Sequence, residues 1–391
     1  MGVLSKNEKR ISKTFDTKHL LSLKRNASRT SRSYNQINSD QHERLITTIL
    51  YDRLNNNNLI KNNIVAIKIQ TTNSNKTDNN TNKLVKIGKI VKYVTLSITT
   101  IGLIGIYNLQ LKLVYLPSLN DGLSQIDTPS QYGMPYEEIF LKTSDMVMLQ
   151  VYVLRQRLNK AYKNRNKNKS YKNTTIVILC PNAGNIGHSL PIVQIFYKSF
   201  HYNVVIYSYR GYGRSTGSPN ESGLKIDAQT ILTFLSQDPE FKKSKIILYG
   251  RSIGGAVAIY MASLASITLS RNLLQIENGP QETKSVLENT FLNIRKVIPY
   301  IFPILSYLSF LCHQVWPSER YITLIDPNIP TLFLSGQKDE IVPPDHMFQL
   351  YKLSNSKTKE IHLFKDGYHN DTVNQRFYWK YVHNFIEAIS I

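Results

Sequence analysis

Cysteine is scarce in this sequence. Cys180 and Cys312 are the two present in 391 residues, so no disulfide framework holds the fold together. Both lie in apolar runs and are expected as buried thiols. Acidic residues are also in short supply: 48 Lys and Arg stand against 27 Asp and Glu, a formal charge of +21. The deficit is local. Residues 1–92 hold 18 basic and 6 acidic residues, and so carry 12 of those charges. Segment 156–173 holds seven Lys or Arg and no acid. The rest is much closer to neutral, so the charge belongs to appendages and not to the folded core. Zinc-finger spacings and basic motifs interleaved with aromatics are absent, which argues against nucleic-acid binding. No nucleic-acid partner, metal or cofactor is expected.

Apolar residues are thin over 1–82, which is rich in Ser, Asn and Lys with an Asn run at 55–58. This reads as a polar disordered arm. Lys6 stands where N-myristoylation wants Ser or Thr, so that modification is rejected. Residues 93–107 carry no charge, and the chain stays largely apolar to Tyr115. Residues 83–115 are therefore expected as a transmembrane signal anchor. Lys83, Lys86, Lys89 and Lys92 crowd its N-terminal side, which places the N-terminus in the cytoplasm and the remainder opposite. A single-pass protein of the endomembrane system follows, in the ER, vacuole or plasma membrane. An acid-poor start rich in Arg and Ser keeps a mitochondrial presequence as the alternative.

From residue 131 the pattern becomes strand, loop, helix. Residues 136–142 and 146–154 suit a hairpin around Ser144-Asp145. Short β-rich runs follow at 176–179, 204–208, 246–248, 285–287, 331–334 and 360–364, with helical stretches at 190–200, 223–235, 254–265 and 375–389. Such alternation implies a mostly parallel sheet with helices on both faces, an α/β fold spanning 131–391. Ligands then bind beyond the carboxyl ends of the strands.

The strongest chemical signal is Ile246-Ile247-Leu248-Tyr249-Gly250-Arg251-Ser252-Ile253-Gly254. An apolar strand runs into Gly-x-Ser-x-Gly and then into helix-forming residues. A serine on such a turn is forced out of the sheet with its hydroxyl exposed, and glycines flank it because a Cβ would strike neighbouring backbone. A serine hydroxyl needs a base, and the base an orienting acid. His369 follows the 360–364 strand in a Gly-containing loop at the same edge. Of the other histidines His188 is the serious rival, because it follows the first loop of that edge. Asp339 and Glu340 both follow the 331–334 strand and either could orient the base. The order Ser252, acid, His369 is that of an α/β-hydrolase. The oxyanion donors are expected from the Ile253 backbone N–H and from the loop after 176–179. Pro181 has no N–H, so Asn182, or failing it Ala183, must donate there.

Residues 209–219 hold Gly211, Gly213 and Gly217, but the third glycine is one place late for a dinucleotide fingerprint. Residues 291–316 are apolar and broken by Pro299 and Pro303, and fall between two strands where a cap of about 291–325 would insert. Such a cap could shape an acyl pocket or touch lipid; the alternative is an ordinary pair of core helices.

In order, Asn182-Ala183-Gly184-Asn185, residues 209–219 and 250–256, Leu287-Glu288-Asn289-Thr290-Phe291, residues 336–344 and His369-Asn370-Asp371-Thr372 resemble the Bem46 family of α/β-hydrolases. The resemblance implies a membrane-anchored serine hydrolase with the triad Ser252, Asp339 and His369, and so selects Asp339 over Glu340. Cys180-Pro181 stands where many relatives have His-Gly or a similar pair, and residues 156–173 and 266–283 look like insertions. Related members are similar to protein depalmitoylases, and the family is linked to cell polarity and membrane trafficking. The expected substrate is an acylated, palmitoyl-bearing protein or a lipid, cleaved at an ester or thioester. A trafficking or polarity scaffold that needs no turnover, and a serine peptidase, are the alternatives.

Overall fold

The computed structural model describes residues 79–119, 126–156, 173–271 and 282–388. The arm expected over 1–82 thus lies outside the described residues up to position 78, as do 157–172 and 272–281 of the two expected insertions. The chain divides into a unit Arg25–Asn108 and a unit containing Leu109–Ile391.

Helix α1, Asn79–Val114, is 36 residues long and starts earlier than the anchor expected at 83. Its stretch Val85–Val114 covers 30 residues and is long and apolar enough to cross a membrane. At 1.5 Å per residue that is about 45 Å, more than a hydrocarbon core of about 30 Å requires. Lys86, Lys89 and Lys92 fall inside this helix. The end of α1, from Leu109, belongs to the α/β unit, where Leu111 and Val114 pack against its core.

That unit is built on one eight-stranded sheet, ordered β1-β2-β4-β3-β5-β6-β7-β8. The strands are β1 Glu137–Lys142, β2 Met148–Leu154, β3 Thr174–Leu179, β4 Asn203–Tyr207, β5 Lys245–Arg251, β6 Thr283–Glu288, β7 Thr331–Gly336 and β8 Lys359–Phe364. β1 and β2 form the expected antiparallel hairpin, β2 meets β4 antiparallel, and every other pairing is parallel. Central β3 is buried along its whole length, whereas the edge strands β1 and β8 keep exposed positions. This is why β3 reads as a continuous β-branched run.

The helices of this unit are α2 Leu190–Gln194, α3 Glu221–Gln237, α4 Ile253–Arg271, α5 Ile294–Ile301, α6 Ser318–Tyr321, α7 Pro344–Leu353 and α8 Tyr378–Glu387. α2 is shorter than the 190–200 stretch suggested, because its last turn widens to a π-turn over Ile195–Ser199. α4 is buried on all sides from Ala256 to Ala262. Each of Val257, Ile259 and Met261 contributes roughly 1.5–3 kcal/mol of burial there. Cys180 and Cys312 are free, buried thiols, as expected. α5, a 3-10 run Pro303–Leu311 and α6 form the cap between β6 and β7.

The glycine-rich segment 209–219 turns out to wrap an ion pair. Arg210 donates from its backbone N–H and Nε to Asp227 at 2.9 Å each, and from Nη1 and Nη2 to Asp145 at 2.6 and 3.0 Å. Gly211, Gly213 and Gly217 take φ of 76°, 53° and 83°, so the turn itself uses them. The Arg210 hydrogen bonds hold the Asp145 carboxyl down at about 2, while burial pushes that of Asp227 up. Asp227 is fully buried, so Arg210→Ala leaves its carboxylate without a cation. We expect a loss of about 3–5 kcal/mol of stability, read as a drop in thermal midpoint. A loss below about 1 kcal/mol would contradict this role.

Candidate active site

Ser252 follows β5 with φ 56°, a left-handed backbone that costs a non-glycine residue about 1–3 kcal/mol. The surrounding chain holds it there. Its N–H donates to Glu288 O at 2.9 Å, while its carbonyl accepts from Gly255 N–H at 2.9 Å and Thr290 Oγ1 at 2.7 Å. A Cβ on Gly250 would lie 2.2 Å from Gly254 O, and one on Gly254 would lie 2.1 Å from Leu179 O. Both flanking glycines are therefore required by the contact of turn, helix and β3, as the motif implied.

Asp339 and His369 meet. The imidazole Nδ1 lies 2.8 Å from Asp339 Oδ2 and 3.0 Å from Oδ1. Asp339 Oδ1 also accepts from the N–H groups of Ile341 and Val342, at 2.9 and 2.8 Å, which fixes the carboxylate on its loop. Glu340, the alternative acid, accepts the backbone N–H of His369 at 3.1 Å. The two neighbouring acids thus hold one histidine by ring and by backbone. His188 directs its Nδ1 to the Asn185 backbone N–H at 3.2 Å, and His362 stacks on Tyr381 at 3.7 Å.

The bridge between the serine turn and the histidine loop is a residue to which sequence reasoning gave no role. Asn289, just beyond β6, is buried with φ 45°. Its Oδ1 accepts from Gly336 N–H at 2.8 Å. Its Nδ2 donates to His369 O at 3.1 Å, Thr372 Oγ1 at 3.0 Å and Tyr368 O at 3.3 Å. Glu288 O, one residue earlier, holds Ser252. Thus the end of β6 ties all three loops to one another. The signal in the sequence was an Asn able to adopt αL after a strand. Asn289→Asp keeps the shape and loses the three donated bonds. We expect kcat to fall about 100-fold through misplacement of the imidazole, with KM changing far less, read from steady-state kinetics on folded protein.

No hydrogen bond joins the Ser252 hydroxyl to His369 among the described residues; such contacts often close only around substrate. The Ile253 N–H opens α4, and as the first helical N–H it has no acceptor within the helix. Asn182 follows β3, its Oδ1 accepting from Tyr212 O–H at 2.9 Å. β3 neighbours both β4 and β5, so the chain reverses direction in the crevice that Asn182 and Ser252 flank. Burial pushes the Cys180 thiol up to about 11, which makes it a poor rival nucleophile. The side chain of buried Glu288 accepts from Tyr249 O–H at 2.8 Å and Tyr378 O–H at 2.7 Å.

Among solved structures, an α/β-hydrolase of Vibrio vulnificus overlays on 69% of this chain and 89% of its own, with TM-score 0.52 and 18% identity. Esterase Pf2001 of Pyrococcus furiosus covers 70% of this chain and 98% of its own, with TM-score 0.51 and 17% identity. These share the fold. By sequence, the uncharacterized membrane protein YNL320W of Saccharomyces cerevisiae is 43% identical over 301 residues, 77% of this chain and 97% of its own. Protein bem46 of Schizosaccharomyces pombe is 39% identical over 305 residues, 77% of this chain and 94% of its own. The α/β hydrolase domain-containing protein WAV2 of Arabidopsis thaliana is 33% identical over 297 residues, 71% of this chain and 87% of its own. No family model matches the chain.

Proposed function

The chain belongs to the Bem46 family of α/β-hydrolases, and from that membership we propose a membrane-anchored serine hydrolase that cleaves esters or thioesters of acylated proteins or lipids. Ser252 Oγ attacks the acyl carbon and passes its proton to His369 Nε2. Asp339 fixes the tautomer at Nδ1 and stabilises the imidazolium that forms. The Ile253 and Asn182 N–H groups hold the oxyanion. His369 then gives its proton to the departing alcohol or thiol. Water, deprotonated by the same imidazole, releases the acid and restores Ser252. The observation that carries this reading is the 2.8 Å contact of His369 Nδ1 with Asp339, on a loop tied through Asn289 to the strand end that holds Ser252. The apolar cap favours acyl chains over polar substrates.

A panel of short- and long-chain aryl esters, an S-palmitoylated peptide and a peptide amide tests the proposal on full-length protein. Turnover of the palmitoyl thioester and the long esters is expected. Failure to cleave any ester or thioester would overturn it, and amide cleavage at comparable rates would favour a peptidase. Lys83, Lys86, Lys89 and Lys92, ahead of the uncharged residues 93–107, support a cytoplasmic N-terminus with the catalytic unit on the opposite face. A C-terminal tag on intact microsomes should then resist added protease until detergent is present. Digestion without detergent would reverse the topology.

A further inference from the structure

The cap carries a feature that the catalytic reading leaves unused. None of Pro303–Leu311 is buried, although the run reads Pro-Ile-Leu-Ser-Tyr-Leu-Ser-Phe-Leu. Ile304 and Tyr307 are each 88% exposed, Phe310 65% and Tyr300, on adjoining α5, 62%. A contiguous apolar surface of this kind on a folded unit marks an interaction site. Its tyrosines combine an apolar ring with a polar tip, the composition of a membrane–water boundary. Its flank carries a cation: Arg295 on α5 is exposed, and its Nε donates to Cys312 O at 2.9 Å, just past the run, while neighbouring Lys296 is paired with Glu319.

The same run is fastened to the C-terminal end of the apolar stretch Val85–Val114. Gln110 donates from Nε2 to Leu311 O at 3.0 Å and accepts at Oε1 from His313 N–H at 2.9 Å. Tyr115 donates to Gln314 Oε1 at 2.9 Å and accepts from Trp316 Nε1 at 2.9 Å. Leu116 then bridges to Ala183, beside the proposed oxyanion amide of Asn182. Where that stretch leaves a bilayer, the chain is therefore bonded directly to the cap and to the site.

We propose that the exposed cap face of Tyr300, Ile304, Tyr307 and Phe310 is a bilayer-contacting surface, seated at the headgroup–acyl boundary. This rests on the membrane-anchored reading above and adds the route of the substrate: an acyl chain passes from the lipid phase to Ser252 without crossing water. Exposed Arg295 meets anionic headgroups at its edge.

The test uses the full chain reconstituted in phosphatidylcholine–phosphatidylserine vesicles, with an environment-sensitive dye on Ile304→Cys or, as a water-facing control, on Met146→Cys. The native cysteines are buried and stay unlabelled. Quenching at 304 by lipid-borne spin labels, and protection from aqueous iodide, with the reverse at 146, is the expected result. Iodide access at 304 equal to that at 146 overturns the proposal. Protection from both quenchers also overturns it, since another protein surface, such as a second copy of the chain, then covers the cap. In a second arm, the double variant Ile304→Ser, Tyr307→Ser should lose about tenfold or more of turnover on a palmitoyl substrate in vesicles. Its turnover of a short soluble ester should stay at wild-type level. Equal turnover of the palmitoyl substrate by both proteins overturns the proposed route. Should wild type cleave neither substrate, the hydrolase reading fails while the quenching result still decides the surface.

Discussion

Ser252→Ala is expected to lower kcat for esters and thioesters by about 10⁴–10⁶-fold and to abolish reaction with a fluorophosphonate. Residual turnover above water, about 10³–10⁴-fold, would come from the oxyanion donors and binding alone. The fold should be unaffected, because the bonds holding this turn use Ser252 backbone atoms and leave its hydroxyl free. Ser252→Gly separates chemistry from strain. With φ at 56°, glycine relieves a backbone that serine adopts at a cost of about 1 kcal/mol or more. The glycine variant should therefore be as inactive as the alanine variant and more stable than wild type. Full activity in either one would remove Ser252 from the mechanism.

Asp339→Asn is expected to reduce kcat by about 10⁴-fold with a nearly unchanged thermal midpoint. Asparagine retains an oxygen for the Ile341 and Val342 N–H groups, so the loop keeps its shape. It then turns an NH₂ toward His369 Nδ1, which forces the proton onto Nε2. The imidazole can no longer accept the serine proton. Glu340→Gln serves as the contrast, since it keeps an oxygen for the His369 backbone N–H and leaves the ring tautomer alone. A loss below about tenfold is expected for it. Equal losses in the two variants would show that the acids act only by holding the loop.

The strands and the order of the three candidate catalytic residues were legible because each depends on local pattern. Short β-rich runs mark β3 to β7, and Gly-Arg-Ser-Ile-Gly marks a strand-to-helix turn wherever the rest of the chain goes. What could not be read depends on register between distant loops. Nothing near Asn289 in sequence reveals that Gly336 and His369 will meet its two amide atoms. Glu340 reads as an alternative acid because its actual partner, the His369 backbone N–H, carries no sequence signature. Helix α7 was missed because Pro343-Pro344 reads as loop, whereas proline at the first helical position starts a helix well. The glycines of 209–219 miss a dinucleotide fingerprint by one place; the ion pair inside them depends on Asp145 and Asp227 from two other elements.

The most direct measurement is mass-spectrometric mapping of the adduct after full-length protein reacts with a fluorophosphonate. One alkylphosphonyl group on the peptide containing Ser252, and no adduct after prior denaturation, is the result expected of a hydroxyl activated by His369. An adduct on any other residue of the native protein, or none at all, would contradict the account.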